Sequence, residues 1–178
     1  VYKAFCGIGS RETPEHILEL MVRLGKKLST EGWILRSGGA EGADDAFWKG
    51  AMSHNSNTSN TEIYLPWNNF NGHDIRNVGM RDAPMLSTWS NALLMAQRYH
   101  PAWDCLKQGG RKLQARNCYQ VLGVNLDTPA KFIVCWTRNG AMIGGTAQAL
   151  RMATDHGIPI YNLGNNEDLN KIVNWLDK

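Results

Sequence analysis

The chain has 178 residues and a mass of 19.9 kDa, with 43% hydrophobic and 20% charged residues; these ordinary globular values exclude wholesale disorder and coiled coil. A formal net charge of +3 is too small to mark a nucleic-acid binder by charge alone. No apolar run reaches the roughly 18 residues of a membrane helix and no charged-then-apolar leader opens the chain, so no membrane partner and a cytoplasmic location are expected.

A first, apolar strand is predicted over Lys3 to Ile8, ending in Gly7-Ile8-Gly9-Ser10-Arg11. The start of the following helix is well marked: Thr13 as cap, Pro14 at the first helical position, and Glu15 at the positive end. Ile17, Met21, Leu24 and Leu28 recur at three- and four-residue spacing and form one buried stripe. Gly32 ends this unit. Trp33 to Arg36 is a second strand, which runs into Ser37-Gly38-Gly39-Ala40-Glu41-Gly42-Ala43-Asp44-Asp45 and a helix carrying Ala46, Phe47, Gly50 and Ala51. Residues 54 to 61 are small and polar and read as a surface loop. Within them Asn57-Thr58-Ser59 matches a glycosylation sequon that no secretory signal supports.

Glu62 to Leu65 is a third strand, stopped by Pro66. The stretch from 67 to 110 is the least regular, with helical character around Pro84 to Tyr99 and Pro101 to Lys107. Residues 111 to 123 form another helix, with Leu113, Asn117, Gln120 and Val121 on neighbouring turns. Between Arg98 and Arg116, the residues Lys107, Arg111 and Lys112 add to these two arginines against Asp104 alone, a patch that faces phosphate, a subunit or plain solvent. Lys131 to Trp136 is the strongest strand, and Gly144-Gly145-Thr146 opens a helix to His156. Pro159 to Asn162 is the last strand. A closing helix from Glu167 puts Leu169, Ile172, Val173 and Leu176 on one face.

Strands alternating with amphipathic helices imply an α/β fold. We expect a single Rossmann-like doubly wound domain over 1–178, with a mostly parallel sheet of about five strands, helices on both faces and a helical insertion at about 67–123. Cys6, Cys105, Cys118 and Cys135 form no C-x-x-C pair and read as free thiols, and the histidines lack zinc-binding spacing. No metal and no cofactor are expected. Leu86, Trp89, Leu93 and Trp103 look like exposed apolar positions, from which a homo-oligomer is expected.

Ligands of an open parallel sheet sit at the carboxyl ends of its strands. Three strand-to-helix loops here, 7–11, 37–44 and 140–146, are rich in glycine and hydroxyls. Glycine lets backbone N–H groups approach an anion, and a following helix N-terminus adds partial positive charge. The ligand- or phosphate-binding candidates are therefore Gly9, Ser10 and Arg11, then Ser37, Gly38, Gly39, Gly42, Ala43 and Asp44 (the last for a ribose hydroxyl or base edge), and finally Gly144, Gly145 and Thr146. Arg11 suits a bidentate phosphate contact, and Arg81 is a second candidate cation. Trp136 ends a strand, where it either packs in the core or stacks on a base. Thr137 and Asn117 hydrogen-bond a ligand or cap turns. Asp44, Asp45 and Glu41 are the candidate catalytic acids, although acids opening a helix also complement its dipole. Glu12 stands where the dinucleotide fingerprint needs a third glycine, and no P-loop pattern occurs.

Gly9-Ser10-Arg11, Ser37-Gly38-Gly39-Ala40-Glu41-Gly42-Ala43-Asp44 and Gly144-Gly145-Thr146-Ala147-Gln148-Ala149-Leu150 together resemble the SLOG superfamily. That group joins the Rossmann-like domain of DNA-processing protein A (Smf) with the lysine-decarboxylase-like phosphoribohydrolases. The resemblance runs from about Ala4 to Leu163. At Ile63-Tyr64-Leu65-Pro66-Trp67, Arg116-Asn117 and Cys135-Trp136-Thr137 the chain is similar to the small single-domain bacteriophage versions. It implies a Rossmann-like fold that binds single-stranded DNA, nucleotides or signalling ligands, and in a phage the sequestration of a defence messenger in the host cytoplasm. Glu41 stands where the DNA-processing members usually carry arginine. Ile143 replaces the proline of the phosphoribohydrolase Pro-Gly-Gly-x-Gly-Thr-x-x-Glu motif, and Gln148 or Ala149 falls near its glutamate; neither is a general base. The expected function is binding of a nucleotide or nucleotide-derived signalling ligand through the three-loop phosphate site. Single-stranded DNA binding in recombination and N-glycosidic cleavage of a nucleotide are the alternatives.

Overall fold

In the computed structural model, which describes residues 1–54 and 60–178, the strands are β1 (Ala4–Gly7), β2 (Ile34–Ser37), β3 (Thr61–Leu65), β4 (Met80–Asp82), β5 (Ile133–Cys135) and β6 (Ile160–Asn162). They form one sheet in the order β4-β3-β2-β1-β5-β6, with every neighbouring pair parallel. The described helices are α1 (Glu15–Thr30), α2 (Ala43–His54), α3 (Trp89–Tyr99), α4 (Gln108–Leu122), α5 (Ala147–Asp155) and α6 (Asn166–Leu176).

Alternate strand residues feed two cores. Phe5, Leu35, Ile63 and Val134 pack under α1, α2 and α6, while Cys6, Tyr64, Ile133 and Cys135 pack under α3, α4 and α5. Both faces are covered, which is why the strands read as continuous apolar runs rather than alternating ones. The stripe of α1 lies fully in the first core: Ile17, Met21, Leu24 and Leu28 are all buried.

The structure departs from the sequence reading at several points. The sheet has six strands rather than about five. The added strand, β4, has only three residues, too few for a periodicity to show. The 67–123 stretch is more than a helical insertion at one edge, because it supplies β4 to the sheet and α4 to its covering layer. Helical character over Pro101 to Lys107 shrinks to a 3₁₀ turn at Trp103–Cys105. Thr13 does not cap α1. Its hydroxyl donates to the Ser10 carbonyl at 2.6 Å, and Pro14 takes the cap position. Of the polar 54–61 stretch, Thr61 is a buried residue of β3, whereas the sequon at 57–59 lies outside the described residues.

Trp103 is buried and Leu86, Trp89 and Leu93 pack against the second core, so these side chains are not the exposed surface expected of them; Met85 and Leu94 are exposed instead. Cys6, Cys118 and Cys135 are buried free thiols, and Cys105 is an exposed one. No described helix is long and apolar enough to cross a membrane.

Candidate functional site

The sheet order reverses between β1 and β5: β1 leads through α1 to β2 on one side, and β5 leads through α5 to β6 on the other. The loops leaving these two strands therefore diverge, and a crevice opens between them. It holds a cavity of about 490 Å³, within the usual range for small-molecule sites.

The candidates fall into three groups. Gly9, Ser10 and Arg11 line the cavity from the β1 side, and Thr137, Gly144, Gly145 and Thr146 line it from the β5 side. Asp44 and Asn117 join them at its inner wall. Ser37, Gly38, Gly39, Gly42 and Ala43 are outside the lining and support it. The Ser37 hydroxyl donates to the Gly7 carbonyl at 2.6 Å and ties the ends of β1 and β2 together. Gly42 has φ +92°, and a Cβ there would lie 3.0 Å from the Arg11 Cα. Only glycine lets the second loop turn this tightly against the first. Arg81 and Trp136 are outside the lining. Arg81 is exposed on the edge strand β4, and Trp136 packs against the core beneath α1 and α6.

The three candidate acids have separate surroundings. Glu41 is exposed and outside the lining. Asp45 is engaged with the segment after β3, pairing with His73 Nε2 at 2.9 Å and accepting from Asn71 Nδ2 at 2.8 Å. Asp44 alone faces the cavity, and it is buried. Its Oδ2 accepts the N–H groups of Gly38 at 3.2 Å and Ala40 at 3.3 Å, so it also shapes the second loop. Burial pushes this carboxyl up to about 6, against the opposing pull of Arg116 and the two N–H groups.

Several lining residues carried no site assignment from their loops. Arg116 of α4 is buried at the inner wall and donates to the carbonyls of Gly38, Tyr64 and Leu113. Its guanidinium lies 5.3 Å from the Phe70 ring centroid, and burial lowers it to about 10. Gln114 and Gln120 of the same helix also line the cavity. The sequence signal for this wall is Arg116, Asn117 and Gln120, polar residues within about one helical turn in the buried second half of α4. At the mouth, Arg138 Nη2 meets Glu12 Oε2 at 2.7 Å and joins the two rim loops.

The rim also presents free donors. The backbone N–H groups of Gly144, Gly145 and Thr146, just before α5, take no partner among the described residues, nor do those of Gly9 and Arg11. Thr137 is differently placed: its hydroxyl donates to the Ala141 carbonyl at 2.6 Å and accepts from Asn162 Nδ2 at 2.7 Å, which fixes the β5 loop. Asn117 Nδ2 donates to the Gly145 carbonyl at 3.2 Å and anchors the same loop to α4. Consecutive unpaired N–H groups at a helix start, beside the unpaired side chain of Arg11, form an arrangement suited to an anion. Among the described residues, no group of His, Cys, Asp and Glu is placed to hold a metal ion.

No family model and no curated protein matches the sequence. The fold is similar to that of DNA processing protein A from Helicobacter pylori, a structure described for its single-stranded DNA binding mode. The TM-score is 0.61 at 19% identity, over 99% of this chain and 79% of the other. It is also similar to the molybdenum cofactor carrier protein from Chlamydomonas reinhardtii, with a TM-score of 0.58 at 18% identity, over 98% of this chain and 85% of the other. At these identities the likeness establishes the Rossmann-like fold that the loop motifs imply.

Proposed function

We propose that the chain binds a nucleotide or nucleotide-derived small molecule in the crevice between β1 and β5, with its phosphate at the rim and its remainder in the cavity. The observation that carries this reading is the meeting of two glycine-rich loops with unpaired N–H groups, and of Arg11, on a single cavity. Backbone donors and a guanidinium supply charge-assisted hydrogen bonds to phosphate oxygens, and the start of α5 adds its dipole. Both similar structures carry names that fit such chemistry, one for a nucleic acid and one for a cofactor. Isothermal titration with mono-, di- and cyclic nucleotides tests the proposal. Saturable binding is expected, and Arg11→Ala should weaken it roughly tenfold, as loss of one charged hydrogen bond does. Absence of binding by every nucleotide at millimolar concentration contradicts it.

A second reading, single-stranded DNA binding, draws on the fold shared with DNA processing protein A. Against it, Glu41 is exposed beside the rim and Glu12 pairs with Arg138 at the mouth, which sets two acids where an extended phosphate backbone would approach the site. Oligonucleotide binding that weakens steeply with salt would favour this reading instead. A third, N-glycosidic cleavage, rests on Asp44, whose carboxyl near 6 is suited to proton transfer. Release of free base from nucleotide during overnight incubation, lost in Asp44→Asn, is its signature.

A further inference from the structure

We infer that the inner end of the cavity reads a guanine-type base edge: a ring N–H and an adjoining amine beside a carbonyl oxygen. The inference rests on the phosphate site proposed above, which holds another part of the ligand at the rim. It starts from the hydrogen-bonding capacity that the inner wall leaves unused.

Asp44, Arg116, Asn117 and Gln120 line this end and are 4%, 5%, 8% and 2% exposed. Each keeps polar capacity without a partner among the described residues. Oδ2 of Asp44 is engaged with two backbone N–H groups, which leaves Oδ1. Asn117 uses its Nδ2 on Gly145 and Gln114, which leaves its Oδ1 as an acceptor. Arg116 uses Nε and Nη1, which leaves Nη2. The Gln120 carboxamide has neither atom bonded, although it is packed so closely on the second loop that a Cβ on Gly38 would lie 2.2 Å from its Nε2. These free atoms border the cavity and are open to it, so a ligand that enters has to match their donors and acceptors.

The balance of these groups defines the ligand. Three acceptors (Asp44 Oδ1, Asn117 Oδ1, Gln120 Oε1) stand with three donor nitrogens (Arg116 Nη2, Gln114 Nε2, Gln120 Nε2), and an ionised carboxylate only accepts. Among the common bases, adenine, cytosine and uracil each present one donor-bearing atom on the pairing edge. Guanine presents two adjacent ones next to a carbonyl, which matches a wall with acceptors beside a guanidinium.

The test is isothermal titration of the whole chain with GMP, IMP, AMP and ribose 5-phosphate. GMP is expected to bind about tenfold or more tightly than AMP or ribose 5-phosphate, the discrimination typical of a bidentate base contact. IMP, which lacks the amine, should fall between. Asp44→Asn keeps an acceptor for Gly38 and Ala40 but introduces a donor, and it should narrow the GMP-to-AMP ratio to about threefold or less. Equal affinity for GMP, AMP and ribose 5-phosphate overturns the base reading and leaves the phosphate site standing, as does a preference for AMP. Failure of all four to bind overturns both. The comparison on the unmodified chain decides the matter even if a variant does not fold.

Discussion

Asp44 and Asp45 are adjacent, alike in chemistry and both in the first turn of α2, yet they have different fates. One residue of helix rotates a side chain by about 100°, so Asp44 turns inward to the cavity wall while Asp45 turns to His73 and Asn71. No local pattern separates the two, because the partners of Asp45 come from a segment after β3 with no regular signal. Arg11 was legible as a rim cation, since it interrupts a glycine loop. Arg81, the weaker candidate cation, is placed by β4 at the sheet edge. The raised carboxyl of Asp44 has a measurable consequence. Its ordinary value is 3.8 and its folded value about 6, so the folded chain holds this proton more tightly than the unfolded one. The stability it contributes is fully present below about pH 3.8 and is lost as pH rises through 6. The loss amounts to about 3 kcal/mol. Asp44→Asn should therefore melt higher than the parent at pH 8, by roughly 5–10 °C for a domain of this size, with the gap closing between pH 6 and pH 4. A gap that is absent or independent of pH would mean that Asp44 is not ionised in a buried setting.

Elements were legible in proportion to their length and periodicity. The helices α1 and α6 declared themselves through one-sided apolar stripes, whereas β4, at three residues, had no pattern to offer. The helix α4 was legible as a helix, but its role was not. Its polar residues point at the cavity wall only because the chain crosses from β4 at one edge of the sheet back to β5, which lays α4 over the face. The contact between α1 and α2 makes a prediction at this scale. Gly25 and Gly50 bring the two backbones together: a Cβ on Gly50 would lie 2.1 Å from the Val22 carbonyl oxygen, and one on Gly25 2.5 Å from that of Phe47. The obstacle is backbone in both cases, so it cannot swing aside. Gly50→Ala gains helix propensity of about 1 kcal/mol but has to part the helices, at a typical cost of 1–3 kcal/mol or more for overpacking. Thermal denaturation should show a net loss of several degrees, and unchanged or raised stability would contradict the close approach.

At the scale of the whole molecule, the alternation of strands and helices was enough to give a doubly wound parallel sheet, and a small net charge gave no hint of partner. Strand order was not written locally, and it is strand order that makes β1 and β5 neighbours and so brings the loops at 7–11 and 140–146 onto one cavity. The second glycine loop contributes less to the lining than its composition suggested, because most of it is spent on contacts with Arg11, Gln120 and Arg116. A chain of 19.9 kDa is well suited to amide-resolved NMR, and a ¹⁵N–¹H titration with a mononucleotide addresses the site directly. The account predicts saturable shifts concentrated on the amides of Gly9, Arg11, Gly144, Gly145 and Thr146. Shifts confined to another surface, such as α3 and the start of α4, or no shifts at saturating nucleotide, would contradict it.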